Sequence, residues 1–61
     1  DIVFIETTED IKSVEVVNIQ GQKVISEGKV NSINVSSLPT GLYLVIVNFD
    51  NTQEAYKIYR K

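Results

Sequence analysis

The sequence predicts an all-β sandwich of six or seven short antiparallel strands. Three observations carry that expectation. Val, Ile, Tyr and Phe dominate the apolar content, and no stretch of useful length repeats with a helical period. Turn residues interrupt the apolar runs roughly every eight to twelve positions, the spacing of small sandwiches. The run Leu42-Tyr43-Leu44-Val45-Ile46-Val47 contains no charged residue and is bounded on both sides by turn signals. At six residues it falls far short of the roughly 20 that a spanning helix needs, so membrane insertion is not expected.

The elements follow in order. Ile2 to Glu6 is a first strand, broken by Thr7-Thr8-Glu9-Asp10. Ile11 to Ile19 is a second, with Val14 and Val16 on one face and Glu15 and Val17 on the other. Asn18-Ile19-Gln20-Gly21 reads as a type I turn followed by a glycine at positive φ, the three-residue hairpin with a bulge. Gln22 to Ser26 is the third strand, and Val30 to Val35 the fourth, after Glu27-Gly28-Lys29. Ser36-Ser37-Leu38-Pro39-Thr40-Gly41 is a crossover that Pro39 stiffens and Gly41 sharpens. Leu42 to Phe49 and Thr52 to Tyr59 form a hairpin about Asp50-Asn51, both residues tolerant of the left-handed region.

That hairpin has a definite register. Phe49 faces Thr52, Val47 faces Glu54, Val45 faces Tyr56 and Tyr43 faces Ile58. Leu42, Leu44, Ile46, Ala55, Lys57 and Tyr59 then share the opposite face. Either both faces of the long strand are covered within the fold, or the second face is an exposed apolar stripe of the kind that marks a partner site.

A chain of 61 residues is at most one domain and buries a modest core. It has no cysteine to staple the fold and, having no methionine, reads as one domain of a longer protein. No export signal peptide is visible at its start. Six basic and eight acidic side chains leave a net charge of −2, and the basic stripe that neutralises phosphates is missing, which argues against nucleic-acid partners. With neither histidine nor cysteine there is no Ser-His or Cys-His nucleophile pair and no ordinary zinc site. Ser36 and Ser37 read as crossover residues, and Glu9-Asp10 as solvated turn charge without calcium-loop spacing. Gly21, Gly28 and Gly41 lie too far apart to cradle a phosphate. No catalytic residue, metal ligand or cofactor site is expected.

The stretches IKSVEVVNIQGQKV, NSINVSSLPTGLYLVIV and the terminal YKIYRK, taken together, closely resemble the type A C-terminal sorting domain of the type IX (Por) secretion system of Bacteroidetes. The resemblance rests on Val14, Val16, Gly21, Gln22, Val24, Ile33, Val35, Leu38, Pro39, Gly41, Tyr43, Val45, Lys57, Ile58 and Lys61. The family's usual opening segment is absent, so residues 1–61 are expected to be a single sorting domain lacking the N-terminal part of its first segment. What the resemblance implies is an immunoglobulin-like sandwich without catalysis. It would address cargo through an outer-membrane translocon to the cell surface or beyond, and a sortase-like protease would then remove it. The competing reading is an immunoglobulin-like accessory or adhesion module that binds protein or carbohydrate, with Tyr56 and Tyr59 as its sugar platform.

Gly21, Leu38, Pro39, Gly41 and Tyr43 are expected to be structural. Leu42, Leu44 and Ile46 are expected to meet a partner, and strand edges to allow self-association. Lys57, Arg60 and Lys61 are expected at a mobile, solvated end, acting in recognition without affecting folding.

Overall fold

The computed structural model describes residues 2–61 and contains six strands and no helix among them. They are β1 (Ile2–Phe4), β2 (Ser13–Asn18), β3 (Lys23–Glu27), β4 (Ser32–Asn34), β5 (Gly41–Asn48) and β6 (Gln53–Arg60). Every pairing is antiparallel. One sheet has the order β3-β2-β5-β6; the other is the pair β1-β4. The all-β expectation and its strand count are borne out, and all six strands lie within or close to the expected runs.

The core forms where the alternating side chains of the two sheets meet. Val14 and Val16 of β2, Tyr43, Val45 and Val47 of β5, and Phe49 just beyond it are buried from the large sheet. Ile33 and Val35, in and just after β4, bury from the small one. Cross-strand register stacks them, since Val14 lies opposite Val47 and Val16 opposite Val45. Val3, Ile5, Ile11, Ile25, Val30, Leu38 and Ile58 pack around this centre, half-buried.

The β2–β3 turn has the predicted chemistry. The Gly21 amide donates to the Asn18 carbonyl at 3.0 Å and the Asn18 amide to the Gln22 carbonyl at 3.0 Å, with Gly21 at φ +82°. The Asn18 side-chain oxygen accepts from the amides of Gln20 and Gln22 at 2.9 and 3.0 Å, so the turn is held from inside as well as by its backbone. A further register shift between Val16 and Val17 bulges this pair, which the sequence reading did not anticipate.

The β5–β6 register is the expected one throughout, from Asn48↔Gln53 to Gly41↔Arg60. Its turn is not. The Phe49 amide donates to the Thr52 carbonyl at 2.9 Å, closing a two-residue loop, yet no non-glycine residue among those described has positive φ. Asp50 and Asn51 therefore tolerate a left-handed conformation without adopting it. Eight ladder pairs and the burial of Val45 and Val47 fix the register, and the turn follows.

Candidate functional site

The two faces of β5 have different surroundings. Its odd-numbered side chains enter the core, and its even-numbered ones lie on the outer face of the large sheet, which no other element covers among the described residues. Leu44 and Ile46 there are half-buried by their sheet neighbours, whereas Leu42 is 45% exposed. Register assembles the rest of the face. Tyr59 stands opposite Leu42, Lys57 opposite Leu44 and Ala55 opposite Ile46, while Val17 of β2 lies opposite Leu44 on the other side. Tyr59 is 63% exposed. An open depression of about 340 Å³ lies over Val17, Ile19, Leu42, Leu44 and Lys57. At its margin Lys23 and Glu15 form an ion pair at 2.9 Å. Leu42, Leu44, Ile46, Val17, Ala55 and Tyr59 thus make one apolar stripe with a single cation, Lys57, set into it.

The three terminal bases are not one patch. Lys57 stands mid-strand on the outer face, with no ion-pair partner among the described residues. Lys61 follows the end of β6. Arg60 departs from the expectation of a mobile, solvated end, because β6 runs through it and it is partly buried. Its Nε donates to the Val35 carbonyl at 3.2 Å and its Nη2 to the Ser36 carbonyl at 2.9 Å. The guanidinium fork therefore ties the last strand to the start of the crossover. A basic residue near a chain end signals charge; the carbonyls it reaches emerge only from the fold.

The crossover itself is built by local bonds. The Asn34 side-chain oxygen accepts from the Ser36 amide at 3.0 Å and its hydroxyl at 2.5 Å, and the Leu38 amide donates to the Val35 carbonyl at 3.0 Å. That turn half-buries Leu38 against the core. Gly41 has φ +156°, a conformation side-chain-bearing residues rarely adopt. Two residues on, the Tyr43 hydroxyl donates to the Pro39 carbonyl at 2.7 Å. The ring is thereby held in the core while its polar tip closes the crossover, the arrangement of a tyrosine corner.

Tyr56 and Tyr59 project to opposite faces of β6, so they do not form a common platform for a sugar ring. The Tyr56 hydroxyl donates to the Glu54 carboxylate. That bond raises the phenol's pKa above the ordinary tyrosine value, with lesser contributions from desolvation and the carboxylate charge. No group of three or more metal-ligating side chains occurs among the described residues.

A family model described as the secretion system C-terminal sorting domain matches residues 1–61, the whole chain. No curated protein and no solved structure matches it.

Proposed function

The chain belongs to the family of secretion-system C-terminal sorting domains, and from that premise we propose that it is a non-catalytic address that carries a cargo protein through the type IX outer-membrane translocon. The observation that carries the reading is the family match over the full length. The geometry supports it by offering an apolar surface. The core occupies one face of the large sheet, and the other presents Leu42, Leu44, Ile46 and Tyr59 to solvent around Lys57. Each large aliphatic side chain covered by a partner contributes roughly 1.5–3 kcal/mol before the costs of association. The stripe is the docking face for the secretion machinery, with Lys57 and Lys61 steering the encounter. A sortase-like protease of the same system removes the domain when cargo reaches the cell surface or the medium.

The test is a reporter protein carrying residues 1–61 at its C-terminus, expressed in a Bacteroidetes host that has the system. Export of the fusion, and retention of the reporter without the domain, is the expected result. Retention of both overturns the reading. Leu44→Lys examines the docking face within it. Leu44 is half-buried at the surface, so a lysine stem lies along the sheet with its charge in water. The variant is expected to keep its melting transition and lose export. Unfolding of the isolated variant would instead place Leu44 in the core.

A further inference from the structure

The free edge of β6 differs from the other edges of the fold. β1 is three residues long. β3 is five residues long and paired through a bulge, and its Lys23 is engaged with Glu15. β6 is eight residues long, contains no proline, and pairs with β5 without a register shift. Proteins ordinarily blunt such an edge with a bulge, a proline or a short strand.

The hydrogen-bond phase of that edge follows from the turn. The Phe49 amide bonds the Thr52 carbonyl, so 49 and 52 are a hydrogen-bonded pair. In an antiparallel ladder the bonded pairs alternate, giving Val47–Glu54, Val45–Tyr56, Tyr43–Ile58 and Gly41–Arg60. Even-numbered residues of β6 thus bond β5. The N–H and C=O groups of Gln53, Ala55, Lys57 and Tyr59 point away from the sheet, and their side chains stand on the outer, apolar face.

Resting on the sorting-domain reading, we infer that β6 takes up an extended acidic segment of its partner as an added antiparallel strand, with a carboxylate opposite Lys57 and apolar residues opposite Ala55 and Tyr59. Charge selects this occupant. Lys57 is the one charged side chain among the four outward-bonding residues, and it has no ion-pair partner among the described residues. Antiparallel pairing of β6 with β6 of a second copy does not satisfy it. In that arrangement outward-bonding residues meet only outward-bonding residues, so in every such register Lys57 faces Gln53, Ala55, Lys57 or Tyr59 of the other copy. Glu54, the acid of β6, has the wrong parity. A partner strand supplies what a second copy lacks, main-chain bonds for affinity and a carboxylate for register.

The probe is the capped peptide Val-Thr-Glu-Val-Val-Thr-Thr and its analogue with lysine for glutamate, added to the labelled domain while amide exchange is followed by nuclear magnetic resonance. The acidic peptide is expected to slow exchange at Ala55, Lys57 and Tyr59, and to bind roughly 3- to 10-fold more tightly than the lysine analogue. Lys57→Glu is expected to reverse that order. Ala55→Pro removes an outward N–H and blocks the edge, so it is expected to abolish protection while the core amides stay protected. Protection absent from the edge, confined to Leu42 and Leu44, or growing with domain concentration without peptide overturns the proposal, the last result assigning the edge to a second copy. Should Ala55→Pro fail to fold, Lys57→Glu alone decides. In the reporter assay, normal export by a folded Ala55→Pro domain overturns strand addition and leaves the sorting role standing. Failure of the unaltered domain to direct export overturns the sorting role itself.

Discussion

At the scale of single residues, Tyr43, Gly41 and Arg60 hold the crossover between the sheets. Tyr43 spans from the core to the Pro39 carbonyl, so removing its hydroxyl and removing its ring are separable losses. Tyr43→Phe is expected to cost about 1 kcal/mol, the net contribution of one such bond, and Tyr43→Ala about 3 kcal/mol through the cavity it leaves. Urea denaturation of the two variants checks the ratio. At Gly41 an added Cβ meets only the Tyr43 ring edge at 3.9 Å, an ordinary contact. Gly41→Ala is therefore expected to cost about 1 kcal/mol through its backbone angle and not through crowding. Arg60 was the residue whose place the sequence did not disclose. Its two bonds to the Val35 and Ser36 carbonyls predict that Arg60→Ala lowers the melting temperature measurably, whereas Lys61→Ala leaves it unchanged. Equal melting temperatures for the two would return Arg60 to the solvated end first expected for it.

At the scale of elements, local chemistry and tertiary register share the work unevenly. The β2–β3 turn is specified locally. Asn18 accepts two amides with its side chain while Gly21 supplies the positive φ. Asn18→Ala strips both bonds and is expected to cost about 1–2 kcal/mol, measured by chemical denaturation, with faster amide exchange at Gln20 and Gln22. That turn was legible because its chemistry lies within five consecutive residues, Asn18 to Gln22. The Asp50-Asn51 turn was legible in position and register but not in conformation. Alternation along β5 and β6 fixes which residues face each other, but leaves the path of the two linking residues open. No glycine announces the bulge, which leaves Val24 of β3 unpaired between Ile25 and Lys23; its one trace in the sequence is the pair of apolar doublets, Val16-Val17 and Val24-Ile25, that interrupt the alternation. The outer stripe was readable as a face. Its exposure was not, because burial of the even-numbered side chains of β5 depends on whether another layer exists to cover them.

At the scale of the whole molecule, a four-stranded sheet faces a two-stranded one. The small sheet suffices to cover β2 and β5 but not β6, whose core-side Tyr56 remains 46% exposed near Phe4 of β1, itself 73% exposed. The stabilising burial is therefore concentrated in the central pair of strands, where Val14, Val16, Val45 and Val47 have at most 1% of their surface exposed. At about 0.05–0.15 kcal/mol per residue, a chain of this length has only about 3–9 kcal/mol of stability to lose. Truncating one fully buried valine in such a core costs about 2 kcal/mol, by interpolation between smaller and larger core truncations. Val14 and Val47 are cross-strand partners, so their cavities merge and the two costs do not simply add. The double variant Val14→Ala, Val47→Ala is accordingly expected to lose its cooperative urea transition at growth temperature, whereas Ile46→Thr, on the outer face of the same strand, keeps it. This pair also separates two ways in which a sorting domain can be read. If the partner reads a folded surface, the double variant fails to export a fused reporter even though every residue of the outer stripe is intact. If export survives the loss of the transition, the signal is read from the extended chain, and the outer face of the folded sheet is not what the machinery recognises.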